Sequence, residues 1–262
     1  MRSWMVAALA GVSLTGCALA GTDEPSTTYL ALGDSVAFGY DPLADLERDQ
    51  VQGYPEAFAA ARGLQVTNLA CPGEASGGFM APNGADNGCR ENRAAFPLHA
   101  EYQGTQLQGA VAFLTAHPET SLVTIDLGAN DVFLLDHICN RDFNCILTNF
   151  VATSTTYNAN LGFIFDQLRK VYDGPLVALS IYNPYPSDTT AQYALDKINE
   201  ILVHQTHAHG GEVADGMTAF ANAAEDPCAG GLLIKMPDGT CDVHPTPQGA
   251  AVLAGALEAA MP

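Results

Sequence analysis

The sequence predicts a three-layer α/β/α sandwich around a central parallel sheet of about five strands. Three observations carry this. Short apolar runs alternate with segments of helical spacing, the pattern of strands buried on both faces. The chain has 262 residues, 48% hydrophobic and 15% charged, which suits one folded domain or at most two. No repeat of fixed period interrupts the alternation.

The elements follow in order. Tyr29 to Leu32 reads as a short buried strand and runs into Gly33-Asp34-Ser35. Tyr54 to Arg62 is a helix closed by Gly63. Leu64 to Ala70 alternates as a strand, with β-branched Val66 and Thr67. Thr105 to His117 has helical spacing at Leu107, Val111 and Leu114. Ser121 to Leu127 is a compact apolar strand that ends at glycine. A long helical region lies between Leu147 and Val171, and Leu176 to Ile181 is another buried strand. Ala191 to His207 is helical, Glu212 to Ala214 a last short strand, and Gln248 to Ala260 the closing helix. Right-handed crossovers place helices on both faces of such a sheet.

The N-terminus stands apart from this pattern. Met1-Arg2 leads into an apolar run from Trp4 to Leu14, too short to span a bilayer but suited to a signal-peptide core. Leu14-Thr15-Gly16-Cys17 resembles the lipobox of bacterial lipoproteins. That resemblance implies a signal peptide over residues 1–16 and a lipid on Cys17 (an ordinary cleaved secretory signal is the alternative). Residues 17–28 then form a lipidated N-terminus and tether, and 29–262 the folded domain. Export to the cell envelope follows in the first case, and secretion in the second.

Export bears on the cysteines. Without Cys17 six remain, an even number in an oxidising compartment. Fifteen pairings are possible and sequence cannot select one. The spacing suggests local closure as Cys71–Cys89, Cys139–Cys145 and Cys228–Cys241. No Cys-x2-Cys spacing favours zinc. The net charge of -19 repels phosphate backbones and anionic headgroups, so no nucleic acid is expected, and membrane contact only through the lipid. A monomer is expected.

Ligands of parallel sheets sit beyond the carboxyl ends of the strands. Those ends carry Gly33-Asp34-Ser35, then Cys71-Pro72-Gly73, then Gly128-Ala129-Asn130-Asp131, with Asp242-Val243-His244-Pro245 near the C-terminus. Each alone is a common turn or cap; Asp34 or Ser35 suits a helix N-cap. Together, and in this order, they resemble the SGNH, or GDSL, hydrolase family over nearly the whole stretch from Tyr29 into the last helix. The resemblance implies a flavodoxin-like sandwich and an esterase or lipase with no cofactor. It also implies a Ser35 nucleophile, a His244 base, and an oxyanion hole from the N–H groups of Ser35 and Gly73 and the amide of Asn130. The G-x-S-x-G pentapeptide of the competing serine-hydrolase fold does not occur.

Ester hydrolysis explains the residue types: an activated hydroxyl, a base, and donors for the developing oxyanion. The sequence departs from the family's D-x-x-H block, because Cys241 occupies the acid's position and Asp242 stands two before His244. Residues two apart share a side in extended chain, so Asp242 could still orient His244. The main-chain carbonyl of Cys241 is the alternative acceptor. An ionised acceptor makes the stronger bond, which favours Asp242. The expected substrate is a small-molecule or glycan ester with a short or medium acyl chain. A polysaccharide deacetylase on the same site, or an inactive surface-binding module, are the alternatives. His204, His207 and His209 read as a solvated helix end and no metal site, and Asp126 and Asp131 as scaffold carboxylates.

Overall fold

The computed structural model describes Met1 and residues 27–46, 51–140 and 142–261. The expected signal peptide and Cys17 lie outside the described residues. Five strands form a parallel sheet: β1 (Thr28–Leu32), β2 (Gln65–Asn68), β3 (Leu122–Ile125), β4 (Leu176–Leu179) and β5 (Glu212–Ala214). Their order is β2-β1-β3-β4-β5, the flavodoxin-like arrangement. The central strands β1, β3 and β4 are apolar and almost wholly buried, as strands covered on both faces must be. Inside the sheet, the Tyr29 hydroxyl meets Thr124 Oγ1 at 2.6 Å.

Two groups of helices cover it. On one face lie α2 (Tyr54–Arg62), α9 (Gly216–Ala223) and α10 (Pro247–Ala260), with α10 packed on the other two. On the other lie α5 (Gln106–Ala116), α7 (Phe143–Arg169) and α8 (Thr189–Ala208). Four further helices, α1 (Ser35–Phe38), α3 (Ser76–Met80), α4 (Cys89–Ala95) and α6 (Ala129–Ile138), stand in the loops after β1, β2 and β3. An antiparallel hairpin of β6 (Leu233–Lys235) and β7 (Cys241–Pro245) precedes α10.

The differences from the sequence reading are local. β2 stops at Asn68 because the Asn68 side chain accepts the Ala70 N–H at 3.0 Å and turns the chain out of the ladder. α7 begins at Phe143, earlier than the apolar periodicity suggests, because Asp142 caps it by accepting the Cys145 N–H at 2.8 Å. The disulfides are Cys71–Cys89, Cys139–Cys145 and Cys228–Cys241, the pairings that the spacing suggests. Among the described residues no helix is long and apolar enough to cross a membrane.

Candidate active site

The Gly33-Asp34-Ser35 turn is built where β1 ends. Gly33 has φ +146°, and a Cβ there would lie 1.5 Å from Asp126 Oδ1, so only glycine fits. The Gln106 side chain grips this residue on both sides. Its Oε1 accepts the Gly33 N–H at 2.7 Å, and its Nε2 donates to the Gly33 carbonyl at 2.9 Å. Asp34 is the N-cap of α1 and accepts the Val36 N–H at 2.9 Å. Capping therefore falls to Asp34, and the Ser35 hydroxyl is left for other work.

That hydroxyl lies 2.8 Å from His244 Nε2. The other ring nitrogen, Nδ1, is hydrogen-bonded to the Asp242 carboxylate. The same carboxylate oxygen accepts the His244 backbone N–H at 3.0 Å. The two-residue spacing works because both residues sit in β7, where alternate side chains share a side. This hydrogen bond from His244 holds the Asp242 carboxyl below the usual carboxylate range, against the partial burial that opposes it. β7 is itself supported. It pairs with β6, Cys241 is bonded to Cys228, and the Tyr182 hydroxyl donates to the Val243 carbonyl at 2.6 Å. The Tyr40 ring packs 4.8 Å from the imidazole.

Gly73 and Asn130 approach from the next two strand exits. Gly73 has φ +86°, and a Cβ would lie 2.6 Å from the Asn87 carbonyl oxygen. The Cys71 N–H donates to the Gly33 carbonyl at 3.1 Å, which ties this loop to the turn that carries Ser35. Asn130 lies in the first turn of α6 and is buried. Its Nδ2 donates to Asp34 Oδ2 at 3.0 Å, and its Oδ1 accepts from Asn87 Nδ2 at 2.8 Å. An amide nitrogen has two hydrogens, so one remains for a ligand.

Three carboxylates stand behind these groups, Asp34 and Asp126 buried and Asp131 half-buried. Burial pushes Asp34 up to about 6, although the Val36 N–H, the nearby His244 and Asn130 oppose it. Burial, then the neighbouring Asp34, pushes Asp126 well above the carboxylate range. Asp126 Oδ1 receives the Asp34 N–H at 3.2 Å. Asp131 accepts the Ser76 N–H at 3.0 Å and its hydroxyl at 2.5 Å, and burial raises it too. Asp126 and Asp131 thus hold loops. His204 and His207 are exposed, while His209 Nε2 turns to Asp166 at 3.3 Å. Among the described residues, Cys71, Glu74 and Cys89 alone cluster within metal-ligating reach, and both sulfurs are spent in a disulfide.

An open cleft of about 640 Å³ begins at Ser35, Asn130 and His244. Its walls are mostly apolar, with Val36, Val132, Phe133, Ile181, Pro184 and Leu195 among them. Of the aromatic residues near the motifs, Phe133 lines this cleft, while Phe38 and Phe79 are core. Gln106, Asn87 and Tyr182 were not legible in the sequence, since each works through a bond to a residue far along the chain.

Residues 31–252 match the family described as GDSL-like lipase/acylhydrolase. The chain belongs to that family and is a carboxylic ester hydrolase. No curated protein matches it. Similar solved structures include an extracellular lipase from Streptomyces rimosus, at 20% identity over 90% of this chain and 100% of that one, TM-score 0.61. A phospholipase A1 from Streptomyces albidoflavus NA297 matches at 20% identity over the same 90% and 100%, TM-score 0.59. A catalytic mutant of an acetylxylan esterase from Geobacillus stearothermophilus matches at 15% identity over 88% of this chain and 91% of that one, TM-score 0.57. At these identities the likeness is one of fold.

Proposed function

We propose that the chain hydrolyses neutral carboxylic esters of short to medium acyl length, with Ser35 as nucleophile, His244 as base and Asp242 as the orienting acid. The observation that carries the reading is the Ser35 Oγ to His244 Nε2 contact of 2.8 Å, backed by Asp242 on Nδ1. His244 Nε2 takes the Ser35 proton as Oγ attacks the carbonyl carbon. The carbonyl oxygen becomes an oxyanion and accepts the N–H groups of Ser35 and Gly73 and the free amide hydrogen of Asn130. Collapse expels the alcohol, which leaves with the proton from His244. Water then attacks the acyl-serine, His244 again takes the proton, and the acid departs with Ser35 restored. Each oxyanion donor contributes about 3–4 kcal/mol to the transition state. The Asp242 carboxylate fixes the tautomer and stabilises the imidazolium.

The apolar cleft supports an acyl chain as the bound group. The charge of -19 disfavours anionic headgroups and nucleic acid as partners. No cofactor enters the sequence of steps, so activity is expected to survive EDTA. Three disulfides support export. A lipid on Cys17, a tether to residue 28 and a monomeric domain complete the proposal. Processing that is blocked by globomycin supports the anchor; a mature N-terminus other than Cys17 rejects it. Initial rates on a p-nitrophenyl ester series beside acetylated xylan test the substrate class. The expected result is turnover of acetate to octanoate esters. Activity confined to the glycan would overturn it.

A further inference from the structure

Asn87 lies in the loop between α3 and α4, outside all four family motifs, yet it touches two of the three donors assigned above. Its side-chain Nδ2 donates to Asn130 Oδ1 at 2.8 Å. Its backbone N–H donates to the Gly73 carbonyl at 2.9 Å, and its own carbonyl packs where a Gly73 Cβ would stand. The segment that carries it is fixed from below. Asp86 accepts the N–H groups of Gly88, Cys89 and Arg90 at 2.6–3.0 Å. Cys89 is bonded to Cys71, and Asn92 Nδ2 donates to the Pro72 carbonyl at 2.9 Å.

We propose that Asn87 is a positioning residue for the oxyanion site: by gripping the Asn130 carboxamide at its oxygen, it fixes which edge of that amide presents N–H to the substrate. The inference rests on the reading of Asn130 as an oxyanion donor. The physical need is plain. A carboxamide can turn about its last bond and exchange oxygen for nitrogen with little change of shape. Turned over, Asn130 would point an oxygen lone pair at a developing oxyanion. Two contacts oppose the turn: the Asn87 donor on Oδ1, and the Asp34 acceptor on Nδ2. The second weakens once Asp34 is protonated, because a carboxylic acid can donate to the turned-over oxygen as readily as a carboxylate accepts from nitrogen. Asn87 carries no charge and can donate at any working pH. The charged or titratable groups that act on Asp34 are His244, Asp131 and Asp126, with the buried Tyr54, Tyr157 and Tyr182 around it, and all are common to wild type and variant.

Two variants test this, each assayed for kcat, KM and binding of an alkyl boronic acid, whose tetrahedral serine adduct mimics the oxyanion. Asn87→Ala removes the grip and keeps the backbone contacts. Asn87→Asp is nearly isosteric but can only accept, so it rewards the turned-over amide. The expected result is a kcat loss of about tenfold for Ala, short of losing a whole donor, and about 100-fold for Asp, the lower end of that loss. KM stays within about twofold, and boronate affinity falls in step with kcat, as selective loss of transition-state binding requires. The Ala variant's deficit relative to wild type widens as pH falls through about 6, where Asp34 gains its proton. A merely structural role would lower the melting temperature of both variants and leave kcat, the Ala–Asp order and the pH ratio unmoved. That outcome overturns the proposal. Ser35→Ala, run in parallel, separates the claims: if it retains activity, the site reading fails and this inference with it. If it is inactive while both Asn87 variants keep wild-type kcat, only the inference fails.

Discussion

Replacing Asp242 by Asn probes the residue at which this chain departs from its family. The same Asp242 oxygen accepts both the Nδ1 side of His244 and the His244 backbone N–H. An Asn here is therefore steered to offer its amide oxygen to both donors, which preserves the tautomer. What is lost is charge. A carboxylate and an imidazolium whose charge centres are about 4 Å apart attract by about 4 kcal/mol near a protein surface. That corresponds to about three decades in rate. Asp242 is partly exposed, so solvent screening trims the expected kcat loss to about 10²–10³. It is smaller than the ~10⁴ seen where a triad Asn also imposes the wrong tautomer. The assay is kcat on p-nitrophenyl butyrate at the wild-type pH optimum, with near-UV circular dichroism to establish folding. A loss under tenfold in a folded variant would refute the charge argument and leave position 242 an orienting role that an amide oxygen fills as well.

Other outcomes follow from the same geometry. Glu74 is buried and pushed up to about 8, chiefly by burial and then by Asp86, although Gln106 donates to it. The native state keeps this proton where the unfolded chain has released it. Stability is therefore predicted to fall as pH rises from about 4.5 to about 8, and to level off above. Glu74→Gln should flatten that slope and raise the melting temperature at pH 8; an unchanged slope would show that the burial carries no such penalty. Opening Cys228–Cys241 with a double serine variant frees a loop of 13-residue separation, worth about 3 kcal/mol. Because Cys241 begins the strand that carries Asp242 and His244, kcat should fall along with the melting temperature. A stable variant with full kcat would remove the bridge from the support of the site. Leu195→Trp fills the cleft wall, and should cut kcat/KM for octanoate relative to acetate esters by about tenfold or more. An unchanged ratio would place the acyl chain elsewhere.

Much of the frame was legible in the chain. The helix from Tyr54 to Arg62 has its bounds because Glu56 accepts the Gly53 N–H at one end and Gly63 takes the left-handed conformation at the other. Both are local signals. The strand Glu212–Ala214 and the buried runs of β1, β3 and β4 were equally local. The helix α6 was not read, because Gly128-Ala129-Asn130-Asp131 looks like a turn and its helical continuation has little apolar periodicity. The β6–β7 hairpin leaves no clear signal, because β7 is half-buried along its whole length and shows no alternation. In the site, Ser35, Gly73 and Asn130 stand out since each follows the end of a parallel strand, while His244 stands out by the Asp242-Val243-His244-Pro245 run that holds it. Their supports do not. Gln106 meets Gly33 across 73 residues, Asn87 meets Asn130 across 43, and Tyr182 meets Val243 across 61. Such contacts depend on the folded topology and leave no periodic trace. That the Asp242 carboxylate meets His244 Nδ1 also depends on both residues lying in an extended strand, which the four letters D-V-H-P leave open.

Covalent labelling of Ser35 tests the central claim most directly. The folded protein is treated with a fluorophosphonate at low excess, digested, and mapped by mass spectrometry. One adduct is predicted, on the peptide that contains Ser35, with loss of ester hydrolysis in proportion to labelling. The adduct should vanish in Ser35→Ala and in His244→Ala, because the hydroxyl 2.8 Å from His244 Nε2 is the one made nucleophilic. A folded protein that hydrolyses esters while Ser35 stays unlabelled would contradict the assignment of the nucleophile.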